Sequence, residues 1–290
     1  MPRTYSPLRY PGGKTQLSRF VMQLLELNKL DNIVYAEPFA GGFGAGLDLL
    51  FNNKVKSVII NDYDIAIYSI WYAILHEAKR LIEDIKKTEI NIGEWNKQKA
   101  IYNQVLEEKK YSYELAFATY FLNRTNRSGI ITGGPIGGKN QSSRYKLDCR
   151  FNKNDLIDKI IKISKYKDRI QLYNLEANVL IEKIILNYRP NEIFVFFDPP
   201  YYEQGKNLYT NFFNHADHVK LQKTINCLSD YYWILTYDNR EEIISIYNNY
   251  DKYLYSINYY ASNVRKAKEI LIHSDKVRLD GLDGVELEDV

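Results

Sequence analysis

The chain has 290 residues, and its 39 lysines and arginines against 36 aspartates and glutamates give a net charge of +3. This length can bury a full core and suits one large domain with an insertion. No apolar run reaches membrane-spanning length, and the amino terminus lacks the apolar stretch of a signal peptide. Cys149, Cys227 and the four histidines match no metal-ligand spacing. We therefore expect a cytoplasmic protein without a metal or a membrane partner.

Short apolar strands and helical patterns alternate along most of the chain. Strands are predicted at 33–37, 57–61, 170–174, 193–197, 232–237, 253–259 and 267–273. Helices are predicted at 15–28, 44–52, 64–87, 176–187, 215–229 and 240–248. This alternation favours an α/β fold with a doubly wound, mostly parallel, seven-stranded sheet, which binds ligands at the carboxyl ends of its strands. The last two strands are predicted to form a hairpin that closes one edge.

The alternating pattern is interrupted between the second and third strands. Helices are predicted at 95–109 and 113–123, and a polar loop rich in Gly, Asn, Ser and Arg follows at 124–152. A loop of that length without its own structure is usually functional or disordered. Between residues 124 and 153, seven basic residues stand against a single acidic one, Asp148. This local charge is suited to a polyanionic partner.

These patterns divide the chain into three parts. Residues 1–74 and 156–278 form the predicted sheet domain, and residues 75–155 form a mainly helical insert. Residues 279–290 contain five acidic residues and no basic one. Because the whole chain carries +3, the rest of it carries +8. We expect the acidic segment to be a solvated tail.

Asp198-Pro199-Pro200-Tyr201 directly follows the apolar run 193–197. A carboxylate at the end of a buried strand is costly to keep for packing alone, and prolines hold a rigid turn with exposed carbonyls. Acceptors beside an aromatic face suit a planar heterocycle that carries an amino group. The alternative interpretation is a strand-end turn in which the Asp caps a helix.

A glycine cluster, Pro38-Phe39-Ala40-Gly41-Gly42-Phe43-Gly44-Ala45-Gly46, follows the first strand and begins a helix. Free backbone N–H groups meet the polar groups of small ligands at such a position. Leu47 stands where a dinucleotide fingerprint has its last glycine, so that class is disfavoured. Asp62 follows the next strand and could accept the two hydroxyls of a ribose. A tight turn used only for packing is the alternative.

Together these motifs resemble the Dam-type DNA adenine-N6 methyltransferases. Arg9-Tyr10-Pro11-Gly12-Gly13-Lys14 resembles the amino-terminal element of that family, although many members have Trp where Tyr10 stands. The glycine cluster, the Asn61-Asp62 pair and the Asp-Pro-Pro-Tyr motif follow in the family order. Asn123-Arg124-Thr125-Asn126-Arg127-Ser128-Gly129 resembles the segment before the DNA-contacting hairpin. Glu269-Ile270-Leu271-Ile272 resembles the last motif.

The resemblance implies an S-adenosyl-L-methionine (AdoMet) methyltransferase fold, with residues 75–155 as the target-recognition region for double-stranded DNA. A cognate restriction endonuclease that acts on the same site is a candidate partner. The implied catalytic residues are Asp198, Pro199, Pro200 and Tyr201. The implied cofactor-binding residues are Tyr10, Lys14, Glu37, Pro38, Phe39, Ala40, Gly41, Gly42, Asp62, Glu176 and Asp198. The expected DNA-binding residues are Arg124, Asn126, Arg127, Ser128, Lys139, Asn140, Arg144 and Lys146.

The implied reaction moves a methyl group from AdoMet to the N6 amine of adenine. Asp198 and the Pro199 carbonyl would accept the two amine hydrogens and localise the nitrogen lone pair, while Tyr201 would stack on the ring. The base must be flipped out of the duplex to reach this site. Three alternatives stay open: a methyltransferase that acts on an RNA base, one that acts on a protein amide, or a catalytically silent DNA-binding protein.

Overall fold

The computed structural model describes residues 4–10, 14–203, 213–260, 264–279 and 287–290. Those ranges contain eight strands and ten α-helices. The strands are β1 (Val34–Glu37), β2 (Ser57–Asn61), β3 (Ile170–Tyr173), β4 (Ile193–Phe197), β5 (Tyr232–Asp238), β6 (Lys252–Tyr260), β7 (Val264–His273) and β8 (Leu287–Asp289). The helices are α1 (Ser18–Leu27), α2 (Gly44–Phe51), α3 (Ile65–His76), α4 (Ala78–Lys87), α5 (Ile92–Leu106), α6 (Tyr113–Thr125), α7 (Lys153–Ser164), α8 (Ala177–Lys183), α9 (His215–Ile225) and α10 (Glu241–Ile246).

The strands form one sheet in the order β3-β2-β1-β4-β5-β7-β6-β8. Strands β1 to β5 are parallel, and β7 lies antiparallel between β5 and β6. The strand order changes direction between β1 and β4, since β2 and β3 lie on one side and β5 on the other. In doubly wound sheets, ligands bind at the carboxyl ends of strands at such a point.

Strand β4 shows why this sequence makes a central strand. All five of its residues are buried, as expected for a parallel strand that is covered on both faces. Phe194 and Phe196 belong to the core on one face, and Ile193, Val195 and Phe197 belong to the core on the other. The alternation follows from the two-residue period of a strand. Burying each of these side chains contributes roughly 1.5–3 kcal/mol.

The insert packs on the sheet domain through helix α6. Eleven residues of α6 are buried, because α3 and α5 both pack against it. The aromatic side chains of Tyr120 and Phe121 contact Phe151 at ring-centroid distances of 6.2 and 5.6 Å. These residues share one hydrophobic core with α1, α2 and α3. The basic loop that follows α6 is therefore fixed at its base to the sheet domain.

The seven predicted strands are confirmed, and the differences lie elsewhere. Helix α7 (Lys153–Ser164) was not predicted. The helix predicted at 64–87 is two helices, because Glu77 leaves the helical region with φ −125° and ψ 28°. Part of the predicted solvated tail, Leu287–Asp289, pairs with β6 as an eighth strand. The hairpin of β6 and β7 therefore does not close the edge, which β8 occupies. No helix in the described ranges is long and apolar enough to cross a membrane.

Candidate active site

The glycine turn after β1 is shaped by backbone conformation and by one aromatic side chain. Gly41 has φ +47°, and a Cβ at that position would lie 2.6 Å from the Tyr10 ring. Tyr10 therefore packs directly on the turn, as only glycine permits. Phe43 also has a left-handed φ of 48° and is followed by helix α2. The indole Nε1 of Trp71 donates to the Gly41 carbonyl at 2.9 Å, which fixes the turn from below.

Asp62 closes the turn from the end of β2. Its Oδ2 accepts the Gly41 N–H at 2.9 Å, and its Oδ1 accepts the Asp64 N–H at 3.0 Å. Burial, followed by the charge of Asp64, raises the pKa of Asp62 to about 7. Asn61 is fully buried and donates to the carbonyls of Pro38 and Leu175 at 2.8 and 3.0 Å. One amide therefore links the ends of three strands.

The Asp198 carboxylate at the end of β4 is held through one oxygen. Lys14 Nζ lies 3.0 Å from Oδ1, and the Thr236 hydroxyl donates to the same oxygen at 2.8 Å. Within the described ranges, no group donates a hydrogen bond to Oδ2. The side chain of Asp198 is 24% exposed. One face of this carboxylate is thus anchored, and the other is available as an acceptor.

Lys14 lies in a buried cluster beneath Asp198. Its Nζ donates to the Tyr201 hydroxyl at 2.7 Å and lies 3.8 Å from Glu269 Oε2. The Tyr255 hydroxyl donates to Glu269. Burial raises the pKa of Glu269, and the Lys14 ammonium opposes that rise. Burial also raises the pKa of Tyr201 well above its ordinary value, so its phenol is not ionised.

Glu37 is a further buried acid next to this cluster. Its Oε1 accepts the Tyr35 hydroxyl at 2.8 Å. Burial raises the pKa of Glu37 to about 8, and the charge of Asp198 adds to the rise. Glu37 is therefore mostly protonated near neutral pH. The carboxylate nearest to Lys14 Nζ is that of Asp198, at 3.0 Å, and Glu269 lies further away at 3.8 Å.

Three residues in the site were not predicted as site residues: Thr236, Asp238 and Glu269. Asp238 accepts the N–H groups of Tyr202 and Glu203 at 2.9 and 3.1 Å and so holds the turn after the Asp-Pro-Pro-Tyr motif. Both Thr236 and Asp238 lie at the carboxyl end of β5. The sequence signal that could have identified Thr236 and Asp238 is this position at the carboxyl end of a strand next to β4.

The predicted cofactor residues are not all gathered at one place. Tyr10, Asp62 and the turn 38–42 lie together. Lys14 lies against the catalytic motif instead. Glu176 is exposed and pairs with Lys220 at 3.3 Å. Its carboxylate is therefore already engaged by a surface lysine.

The expected DNA-binding residues separate into two groups. Five are exposed: Arg127, Lys139, Asn140, Arg144 and Lys146. Ser128 is half-buried and adopts a left-handed φ of 56°. None of the seven basic residues between 124 and 153 forms an ion pair with a residue in the part of the chain that the structure describes. The described residues therefore leave the exposed charge of this loop without an ion-pair partner.

Asn126 and Arg124, both predicted to bind DNA, form internal hydrogen bonds in this structure. Asn126 is fully buried; its Oδ1 accepts the Trp95 indole at 2.7 Å, and its amide donates to the carbonyls of Ile130 and Ile131. Arg124 Nε donates to the Arg150 carbonyl at 2.8 Å. A polar loop must satisfy its own buried backbone groups, and these side chains do so.

The fold and the site define a class of enzyme. A glycine turn after β1, an acid after β2 and Asp-Pro-Pro-Tyr after β4 are the features on which the chain resembles AdoMet-dependent methyltransferases that act on amino groups. A family model described as D12 class N6 adenine-specific DNA methyltransferase matches residues 10–264. The chain belongs to this family, so it is an adenine-specific DNA methyltransferase with AdoMet as its methyl donor.

Two type II methyltransferases agree with this assignment. The type II methyltransferase M.MjaIII of Methanocaldococcus jannaschii is 28% identical over 293 residues, which cover 95% of each chain. The type II methyltransferase M.CviBI of Paramecium bursaria Chlorella virus NC1A is 26% identical over 226 residues, which cover 74% of this chain and 75% of that one. A solved structure from Pyrococcus horikoshii described as an RNA methyltransferase aligns over 92% of this chain and 85% of its own, with 8% identity and a TM-score of 0.39.

The buried Glu37 predicts a pH dependence of stability in the absence of AdoMet. Its pKa is about 8 in the folded protein against 4.5 for an ordinary glutamate. Folded protein keeps a proton that the unfolded chain has lost, so rising pH favours unfolding. Between roughly pH 5 and pH 8, the free energy of unfolding of the wild type should fall relative to that of Glu37→Gln, by up to about 1.4 kcal/mol per pH unit.

Urea titrations of both proteins across this pH range measure the effect. The quantity compared is the slope of the free energy of unfolding against pH, because a loss of stability that is the same at every pH does not change this slope. Glu107→Gln, at an exposed position, is the matched control and should run parallel to the wild type. Parallel curves for Glu37→Gln and the wild type would contradict the assignment of a raised pKa to Glu37.

Proposed function

We propose that Asp198 and the Pro199 carbonyl activate the N6 amine of a flipped adenine for methyl transfer. The observation that carries this proposal is the one-sided anchoring of Asp198. Lys14 and Thr236 both engage Oδ1, which turns the carboxylate so that Oδ2 can accept an amine hydrogen. No described backbone N–H donates to the Pro199 carbonyl, so a second acceptor stands beside the first.

The chemistry requires such a pair of acceptors. The lone pair of an adenine amine is delocalised into the ring, which makes the nitrogen a weak nucleophile. Two acceptors that take both amine hydrogens favour a pyramidal nitrogen with a localised lone pair. Because the donors on Oδ1 are fixed before the base arrives, little reorganisation is needed in the transition state. When bound, AdoMet supplies the electrophilic methyl group on its sulfonium.

Tyr201 is held by its hydroxyl. Lys14 donates to that hydroxyl at 2.7 Å, and the ring of Tyr237 lies 6.4 Å away, tilted by 44°. These contacts restrict the rotation of the ring. Since Tyr201 is only 9% exposed, the stacking of adenine on this ring stays a prediction.

The turn after β1 fits the adenosyl part of AdoMet. Asp62 ends a strand next to the glycine turn, and each of its oxygens accepts one backbone N–H. A second lone pair on each oxygen suits the two hydroxyls of a ribose. Tyr10 on the turn would provide an aromatic wall. We assign the AdoMet site to Tyr10, Glu37, Asp62 and the turn 38–42, and we keep Glu176 as a prediction that requires its pair with Lys220 to open.

We propose that the exposed loop between residues 127 and 146 is the reading edge, the segment that contacts the bases and phosphates of duplex DNA. Its uncompensated charge suits phosphates. Arginine suits guanine edges, and Asn suits adenine edges. Lys146 Nζ donates to one backbone carbonyl, that of Gln141, whereas Lys153 Nζ donates to two, those of Lys86 and Thr88, at 2.8 and 2.7 Å. Lys146 is therefore the better candidate for a phosphate contact.

A restriction endonuclease with the same target is the proposed biological partner. Both curated relatives carry names of type II methyltransferases, and such enzymes protect DNA from a matching nuclease. The recognition sequence of this protein can be read by modification-sensitive sequencing of DNA from cells that express it. A nuclease that cleaves only unmodified copies of that sequence would identify the partner.

The catalytic proposal predicts that Asp198→Ala loses methyl transfer while it keeps the fold and DNA binding. Removal of Oδ2 leaves one amine hydrogen without its acceptor, so the single-turnover rate should fall by at least about 100-fold. The assay is the formation of N6-methyladenine in duplex DNA at saturating AdoMet. Asp158→Ala, on the exposed face of α7, is the control and should react like the wild type. A near-normal rate in Asp198→Ala would refute the mechanism.

The recognition proposal predicts two kinds of variant in the loop. Arg127→Ala should lower the binding free energy that discriminates bases at one position of the target by ~1–3 kcal/mol, and specificity should relax at that position. Lys146→Ala should weaken binding to all sequences alike and lower the salt slope by about one. Methylation of a randomised duplex library, followed by sequencing, measures both effects. Lys110→Ala, an exposed lysine outside the loop, is the control. Unaltered preference and salt dependence in both loop variants would exclude this loop as the reading edge.

A further inference from the structure

The amide of Asn123 holds the main chain of Arg9. Its Oδ1 accepts the Arg9 N–H at 2.8 Å, and its Nδ2 donates to the Arg9 carbonyl at 2.7 Å. Nδ2 also donates to the Gly129 carbonyl at 3.0 Å. Asn123 is 1% exposed. One buried side chain at the end of α6 thus binds both backbone groups of a residue 114 positions away.

Gly129 completes this contact from the loop that follows α6. It has φ +80°, and a Cβ there would lie 2.3 Å from the Arg9 carbonyl oxygen. Backbone therefore lies directly on backbone, which only glycine allows at this distance. The Arg9 guanidinium adds a hydrogen bond to the Asn126 carbonyl at 2.8 Å. The amino-terminal segment is thereby fixed to the base of the basic loop.

Two residues that follow Arg9 in the sequence, Tyr10 and Lys14, lie at the proposed cofactor site and at the catalytic motif. Tyr10, the next residue, packs on Gly41 of the glycine turn. Lys14, four positions further, binds Asp198 and Tyr201. The segment held by Asn123 therefore supplies one side chain to the proposed cofactor site and the cation that anchors the catalytic carboxylate.

We propose that Asn123, which lies in the target-recognition insert, is a positioning residue that places the Tyr10 ring in the AdoMet site. Its two hydrogen bonds to Arg9 fix the direction of the chain, and that direction places the Tyr10 ring on the glycine turn. The proposal rests on the proposed function only in assigning Tyr10 to the cofactor site. The hydrogen bonds described for the Asn123 side chain go to Arg9 and Gly129, and not to the glycine turn or Asp198.

Asn126 provides a close control for this proposal. It lies near the same end of α6, is fully buried, and also makes three side-chain hydrogen bonds, to Trp95, Ile130 and Ile131. None of those bonds reaches the main chain of Arg9. Asn123→Ala and Asn126→Ala should therefore cost similar stability, but only the first should release the segment that carries Tyr10.

The first measurement is the AdoMet Kd of the full chain without DNA, by calorimetry, at a temperature below both unfolding transitions. Asn123→Ala should raise the Kd about tenfold, whereas Asn126→Ala should change it less than about twofold. Asn123→Asp keeps an acceptor for the Arg9 N–H but loses both donated bonds, and it should also raise the Kd. It serves as the second variant if Asn123→Ala does not fold. Equal Kd changes in the Asn123 and Asn126 variants would overturn the proposal.

A double-mutant cycle separates positioning from a general loss of stability. If Asn123 acts through Tyr10, adding Asn123→Ala to Tyr10→Ala should change the AdoMet Kd less than about twofold further. If the double variant instead raised the Kd by the full product of the two single-variant changes, the proposal would be overturned. Wild-type protein that binds AdoMet and methylates DNA, together with an unchanged Kd in both Asn123 variants, would overturn the role of Asn123 alone. Absence of AdoMet binding by the wild type would overturn the cofactor assignment and this proposal together.

Discussion

Lys14 is only 7% exposed, and its ammonium lies 3.0 Å from an Asp198 oxygen and 2.7 Å from the Tyr201 hydroxyl. A buried charge is costly unless it is paired and hydrogen-bonded, so this cation requires its neighbours as much as it orients them. Glu269 lies within 3.8 Å of the same ammonium, and burial raises its pKa. Asp198 is the nearer of the two carboxylates to this ammonium, and it is the one proposed to act on the substrate.

Strand order explains how these side chains meet. Asp198 follows β4, Thr236 lies in β5 and Glu269 lies in β7, and the three strands are neighbours in the sheet. The antiparallel register sets Glu269 opposite Asp238 on β5 and opposite Tyr255 on β6. Neighbouring strands thus provide Thr236, which anchors Asp198, and Glu269, which lies next to Lys14. They also provide Asp238, which holds the turn after Tyr201. Among the described residues of this cluster, Lys14 lies neither in a strand nor directly after one, because it belongs to the amino-terminal segment before β1.

Local patterns in the sequence predicted the parts of the site that depend on short stretches of chain. The continuous apolar run of β4 and its terminal Asp198 were recognisable, as were the glycine turn and Asp62, because strand ends and glycine conformations leave local signals. The contact of Lys14 with Asp198 left none, since it joins distant segments. Asn126 was misjudged for a related reason. A polar residue in a polar loop is expected to be exposed, whereas Asn126 is buried and donates hydrogen bonds to backbone carbonyls of the loop. Glu269 carried a readable signal, an acid within an apolar strand, that was noted only as part of a motif.

The central claim is that Lys14 acts by orienting Asp198, and single-turnover kinetics of Lys14→Met test it most directly. At saturating AdoMet and DNA, the rate of methyl transfer should fall by about 100-fold, because Asp198 loses the ammonium that fixes its Oδ1. Lys54→Met, which removes an exposed lysine paired with Glu26, should leave the rate unchanged. A Lys14→Met enzyme that binds AdoMet weakly but reacts at the wild-type rate once saturated would contradict the account, since Lys14 would then serve the cofactor alone.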